Sequence, residues 1–506
     1  MLTVRQLAFA GVCLTLCACI RVPTSRGPAE AAQTPPPLNT DRVRASVSPS
    51  VTQAFVDSLV ALPQFGNMQW GVLIVAPQRG DTLAAVNADR LVMPASNMKL
   101  ITGAVALSQL GPGYQWRTTI TRTGAITNGV LRGDLVVAGT GDPSVSAAMR
   151  GDPLTAFAPL IAALKASGVT RVEGLVRPSS TPAFPGSPLG FGWEWDDLDS
   201  PYGAGVSELL FNEAFTDIVV RGCVSLSGLA CITTSPALTS PVVRGNVRVV
   251  AAGTTTAPLE YWRDSATVSG IVVRGNIVTG DSIALSVSHP ETRSAYVAAL
   301  TEALGRAGIT AQYGPAGAAG TDTVVVLQSL PLQQVLAAMQ KPSQNQIAEV
   351  LFRSVGLQAT GVGTPDSARA VVERQLIAWG ARRDGFAVRD GSGLSRHDYL
   401  SPRTVVQVLE AMRQRSDFGT FYDALPVAGV DGTLRNRLRD VAQGRVRAKT
   451  GTIDKARALS GYVTTNAGEL LLFSIIANNH TVPNREIERV QDLIVARLLA
   501  MPQTTP

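Results

Sequence analysis

At 506 residues the chain is too long for one hydrophobic core, and roughly two to four domains are expected. Hydrophobic residues at 45% and charged residues at 16% describe a globular protein, not a disordered or fibrous one. The net charge of +6 comes from arginines scattered along the chain, which argues against nucleic-acid binding, and the three histidines (His289, His397, His480) lie too far apart for a zinc hydrolase; neither a metal nor an organic cofactor is expected.

The N-terminus reads as a targeting segment. Arg5 gives a short positive region, and Leu7 to Leu16 is an apolar run of about ten residues, too short to span a bilayer. Leu16-Cys17-Ala18-Cys19 is similar to a bacterial lipobox, with Cys17 unusual at its second position. Residues 1–19 are therefore expected to be a signal peptide, with Cys19 as the lipidated first residue of a periplasmic protein anchored to the membrane only through that lipid. Ordinary signal cleavage and a free periplasmic protein is the alternative. Residues 20–42, with Pro35-Pro36-Pro37, predict an extended tether, and the folded body begins near Val43. Cys13 and Cys17 leave with the signal, so Cys223 and Cys231 are disulfide candidates, their separation suiting a hairpin closed by Gly228.

Trp70 to Ala76 is a buried-strand pattern, Gln78-Arg79-Gly80-Asp81 a turn, and Thr82 to Val86 a strand pairing back. Pro94 opens a helix with Ser96 in its first turns. Leu100, Ile101, Ala104, Val105 and Leu107 make it apolar enough to be buried, and Gly111-Pro112-Gly113 stops it. From Trp116 to about Gly320 short β-branched runs alternate with Gly, Asn and Asp turns. Two helical stretches interrupt them, Leu154 to Ser167 and Thr292 to Ala307. Beyond lie helices at Leu332 to Gln340, Ile347 to Val355, Ser367 to Trp379 and Pro402 to Arg413. Lys449 then opens a strand region, Ala458 to Thr464 and Glu469 to Ala477 form a hairpin through Asn466-Ala467-Gly468, and a last helix runs from about Pro483 to Ala500. The two ends of the body thus predict one α/β domain interrupted by β-rich material.

Of the 44 basic residues only five are lysines, and two of them carry chemistry that arginine cannot supply, because a desolvated lysine can act as a base. Ser96 and Lys99, three apart, share one helix face, so the amine can take the hydroxyl proton. Ser343-Gln344-Asn345 offers a hydroxyl for proton relay and an amide for substrate or Lys99, although Ser-x-Asn also satisfies an ordinary helix cap. Lys449-Thr450-Gly451-Thr452 offers a cation and a hydroxyl for a carboxylate. Gly451 would let a substrate backbone approach, and the Thr452 and Ser96 backbone N–H groups would form an oxyanion hole. A Ser-His-Asp triad through His397 is the weaker catalytic idea, since no Gly-x-Ser-x-Gly elbow is present.

The ordered set Ser-x-x-Lys, Ser-x-Asn, Lys-Thr-Gly resembles the penicillin-recognising serine enzymes. The stretch from Ser96 to Ser343 is too long for a compact β-lactamase and resembles the class C low-molecular-mass penicillin-binding proteins, the D-alanyl-D-alanine carboxypeptidase/endopeptidase family (peptidase family S13). Gly139-Thr140-Gly141-Asp142-Pro143, Gly192-Trp193-Glu194-Trp195-Asp196-Asp197, Asp390-Gly391-Ser392-Gly393-Leu394-Ser395 and Leu425-Pro426-Val427-Ala428-Gly429 agree with it. The resemblance implies a transpeptidase/β-lactamase-like α/β domain (43–116 and 321–506) interrupted by two nested β-rich inserts, one at 117–200 and 308–320 and the other at 201–307. It implies Ser96 as the acylated nucleophile, Lys99 as base, Ser343 as relay, Asn345 as substrate contact, and Lys449 and Thr450 as ligands of the terminal carboxylate. Asp197, Tyr202 and Arg396 would read the amino end of a diaminopimelate side chain, with Tyr202 standing where the family has Phe. Asp454, just after the Lys-Thr-Gly motif, falls where members vary. The implied partners are peptidoglycan stem peptides, with β-lactams as inhibitors. A β-lactamase or esterase using the same chemistry, and a non-catalytic wall-binding protein, are the rival readings.

Overall fold

The computed structural model describes residues 51–223, 228–238, 242–263, 270–289, 291–442 and 444–501. Cys19, the signal and the tether lie outside them. The described residues fall in one compact unit, Pro49–Pro506, and among them no helix is long and apolar enough to cross a membrane.

The chain ends meet in a five-stranded antiparallel sheet, ordered Val446–Ile453, Ala456–Thr464, Leu470–Asn478, Gln69–Ala76, Asp81–Val86. Its three central strands are buried almost throughout because both faces are covered. Val72, Ile74, Phe473 and Ile475 point to one face, against Val56 of the Val51–Val60 helix and Ile487, Ile494 and Leu498 of Asn484–Leu499. Leu73, Tyr462 and Leu472, displaced by one position, point to the other, where Met98, Ile101 and Val105 meet Leu351 and Leu409. The central helix Met98–Leu110 is buried without a break from Met98 to Leu107, as its all-round apolar sequence requires.

Between Leu110 and Leu332 the chain leaves this body and builds two β-rich inserts. The first holds a seven-stranded sheet whose core includes Ile120, Val137 and Val176, covered by the helices Ala158–Ala166 and Thr292–Arg306. The second holds two three-stranded sheets packed through Ile218, Val220, Val247 and Val273. Cys223 and Cys231 are joined there by a disulfide. The structure draws the inner boundaries differently from 117–200, 308–320 and 201–307. Thr292–Arg306 buries Tyr296, Val297 and Leu300 in the first insert's core, not the second's. Asp322–Gln328 pairs with Arg117–Arg122, so the first insert extends past residue 321 into the stretch expected to be catalytic.

Gly461 lies opposite Ala448, one residue from Lys449, and a Cβ there would sit 2.3 Å from the Arg447 carbonyl oxygen and 2.6 Å from Ala448 Cα. Gly461→Ala is expected to lose about 1–3 kcal/mol of unfolding free energy by urea denaturation. Gly305→Ala, in an exposed helical turn with nothing within 4 Å, should not destabilise the protein.

Candidate active site

Ser96 sits in a single 3₁₀ turn, Ala95–Asn97, that runs directly into the central helix. Ala95 holds φ of +47° and Ser343 holds φ of +67°, left-handed values that side chains avoid and that recur at functional sites. These turns bring three segments to one point. The Lys99 amine, fully buried, lies 2.9 Å from Ser96 Oγ, 2.6 Å from Asn345 Oδ1 and 2.8 Å from the Ser392 carbonyl oxygen. Asn345 Nδ2 donates to the Tyr202 carbonyl at 2.9 Å, which fixes the amide with its oxygen toward Lys99. Two of the three partners of the amine are therefore acceptors only. Burial lowers the Lys99 pKa to about 7, against an opposing pull from Asp390, Glu349 and Asp398. A neutral Lys99 gives its two hydrogens to Asn345 and Ser392 and keeps its lone pair for the Ser96 hydroxyl.

On the other wall, Lys449 Nζ donates to Ser343 Oγ at 2.7 Å and to the Thr450 carbonyl at 2.9 Å. The Ser343 hydroxyl accepts that bond and keeps its own hydrogen for the cleft. Burial, followed by the neighbouring charge of Lys99, holds Lys449 well below the ordinary ammonium range. An anion in the cleft would reverse that shift. Thr450 Oγ1 donates to Thr433 Oγ1 at 2.7 Å.

Behind the amine stand groups that sequence reasoning missed. Glu349 Oε1 accepts from the Gly391 and Ser392 N–H groups at 2.9 and 2.7 Å. Asp390 accepts from the Gly393 and Ser395 N–H groups at 2.7 and 2.8 Å and from Trp193 Nε1 at 2.9 Å. Asp398 Oδ1 accepts from the Arg389 N–H at 2.6 Å. These bonds shape the loop that presents the Ser392 carbonyl to Lys99. Burial, then the Asp390 charge, raises Glu349 to about 8 and lifts Asp398 well above the usual carboxylate range. The Asp390-Gly391-Ser392-Gly393 run marks this loop in the sequence but does not show that its carboxylate turns inward.

A cleft of about 500 Å³ opens over Ser96 and Ser343. Asn345, Thr450, Thr452, Asp197 and Tyr202 line it with them, and Tyr202 donates its hydroxyl to Asp197 Oδ1 at 2.8 Å. Arg396 stands beside the lining residue Asp454. It pairs with Glu194 at 2.6 Å and donates to the Asp454 carbonyl at 3.3 Å, while the guanidinium lining the cleft is that of Arg457. Gly451 serves a different contact from the one expected: a Cβ would lie 2.6 Å from the Pro94 carbonyl oxygen and 3.2 Å from Ala95 Cβ, so the bare position admits the nucleophile turn rather than a substrate. His397 is exposed and packs on Phe191 at 5.1 Å between ring centroids, while the Ser96 hydroxyl is partnered by Lys99.

Three comparisons place the chain among known proteins. The family described as the D-Ala-D-Ala carboxypeptidase 3 (S13) family matches residues 52–499. A D-alanyl-D-alanine carboxypeptidase of Actinomadura sp. (strain R39) is 32% identical over 475 residues, 88% of this chain and 83% of that protein. The D-alanyl-D-alanine carboxypeptidase DacB of Haemophilus influenzae is 28% identical over 458 residues, 84% of this chain and 88% of that protein. The crystal structure of penicillin binding protein 4 (dacB) from Haemophilus influenzae superposes with a TM-score of 0.74 at 25% identity, covering 88% of this chain and 99% of that one. That protein has also been solved complexed with a β-lactam.

Asn345→Ala removes an acceptor of Lys99 and the tie to Tyr202 together. It is expected to slow acylation of the enzyme by penicillin about 10²-fold, read by stopped-flow fluorescence, with a loss of about 1–3 kcal/mol in stability.

Proposed function

The chain belongs to the D-Ala-D-Ala carboxypeptidase 3 (S13) family and is a serine-type carboxypeptidase; from that premise we propose that Ser96 and Lys99 hydrolyse the terminal D-alanyl-D-alanine bond of peptidoglycan stem peptides. The observation that carries the assignment is the buried amine 2.9 Å from Ser96 Oγ, whose other two contacts are acceptors. Ser96 Oγ attacks the penultimate alanyl carbonyl while Lys99 takes its proton. The carbonyl oxygen becomes an oxyanion facing the Ser96 and Thr452 N–H groups. The C–N bond then breaks, and the departing amine takes a proton through Ser343. The ester on Ser96 is hydrolysed by water with Lys99 again accepting the proton. Lys449 and Thr450 hold the terminal carboxylate. That carboxylate favours the charged form of Lys449, and a charged Lys449 in turn keeps Lys99 neutral.

The same attack releases an amino-terminal cross-linked stem, which is the DD-endopeptidase reaction. Asp197 and Tyr202 at the cleft wall support recognition of an ammonium on the substrate side chain. Penicillin acylates Ser96 as a substrate mimic.

Lys99 must be neutral to accept a proton, so acylation should rise with pH through an inflection near 7. Lys99→Ala should slow it on the order of 10²–10⁴-fold and erase that limb. Intact-mass analysis should show a stable penicillin adduct on the wild type and none on Ser96→Ala, with D-alanine released from stem peptides. Rapid loss of the adduct with hydrolysed drug would assign a β-lactamase instead. No adduct at all would leave a wall-binding protein.

We further propose a periplasmic protein anchored through lipid on Cys19, supported by the apolar run and the small residues before that cysteine. Cys19→Ser should move the protein from the membrane fraction to the soluble periplasmic fraction. An unchanged membrane fraction would contradict the anchor.

A further inference from the structure

Thr433 has no assigned role, yet its side chain lines the cleft and its hydroxyl accepts from Thr450 at 2.7 Å. The residue is exposed, so burial does not explain its placement. The loop that carries it is held firmly. Asp431 Oδ1 accepts from the Val427 N–H at 2.8 Å, and Asp431 also pairs with Lys341. The Thr433 N–H donates to the Lys341 carbonyl at 3.0 Å. Gly432, at φ of +57°, passes so close to that carbonyl that a Cβ would lie 2.7 Å from it. Lys341 stands two residues before Ser343. The loop is therefore pinned to the segment that carries the relay serine, and its 3₁₀ turn, Gly432–Leu434, directs one hydroxyl at the Thr450 hydroxyl.

We propose that Thr433 is a positioning residue of the site for the terminal carboxylate: it donates to Thr450 Oγ1 when Thr450 turns its own hydrogen to the substrate. This rests on the reading of Lys449 and Thr450 as the carboxylate ligands. Two of the three Lys449 hydrogens already go to Ser343 and to the Thr450 carbonyl, so one is left for a carboxylate that can accept several bonds. The Thr450 hydroxyl can supply another, but its hydrogen goes to Thr433. Reversing that one bond frees it. The chain Thr433 O–H to Thr450 O–H to carboxylate then has every dipole aligned, which strengthens the last bond to the anion. No covalent step is involved.

The test uses the full chain and two thioester substrates with the same acyl-D-alanyl group. One has a leaving group ending in a carboxylate, the other in a carboxamide. The thioester is reactive enough for both to be followed by release of thiol. Thr433→Val should lower kcat/KM for the carboxylate substrate about five- to tenfold, leave the carboxamide within about twofold, and Thr433→Ser should restore the wild-type ratio. If Thr433→Val melts early, Thr433→Ala carries the same comparison. Equal losses on both substrates, or no loss on the carboxylate, would overturn the role of Thr433. Failure of the underlying reading looks different: Thr450→Val would leave the wild-type preference for the carboxylate intact.

Discussion

Everything in the catalytic half of this molecule depends on keeping one amine out of water. An exposed lysine is protonated near neutral pH and cannot take a proton from serine. Lys99 is dry because the central helix that carries it is covered on every side, and burial brings its pKa to about 7. The neighbouring acidic groups, Asp390 first, pull the other way. The resulting value leaves the amine close to evenly divided between base and conjugate acid at neutral pH, where proton transfer in both directions is efficient.

That environment is assembled from distant parts of the chain. Asn345 comes from the helix after the inserts, and Ser392 from a loop built on acceptor carboxylates. The segment from Trp193 to Tyr202 reaches the same spot twice. Trp193 donates to Asp390, and the Tyr202 carbonyl accepts from Asn345. That segment is thus mechanically part of the base's surroundings, and it also supplies Asp197 and Tyr202 to the cleft wall. One segment lines the cleft wall and braces the amide that orients Lys99.

Much of this was legible in the sequence, for identifiable reasons. The strands Trp70 to Ala76 and Glu469 to Ala477 announce themselves by length and apolar content, and they lie side by side in the sheet. Ser96, Lys99, Ser343, Asn345, Lys449 and Thr450 stand in short motifs, and the structure brings them to one cleft or its walls. The insert boundaries were not legible, because the pairing of Asp322–Gln328 with Arg117–Arg122 is non-local and leaves no periodic trace. Glu349 was missed and Asp390 was given no role because a carboxylate in a helix or a loop usually faces solvent. Only the fold turns these two inward onto backbone N–H groups. The role of Gly451 was misread for a similar reason, since the neighbour that needs the space is a turn hundreds of residues earlier.

The scarcity of lysine allows the central claim to be examined at the atom concerned. With five lysines in the chain, ¹³Cε-lysine labelling gives few enough NMR signals to follow one by one, and a Lys99→Arg variant assigns the signal. Lys99 is expected to titrate near pH 7 in the free enzyme, far below the ordinary range of a lysine. A Lys99 signal that stays that of an ammonium up to pH 9 would contradict it.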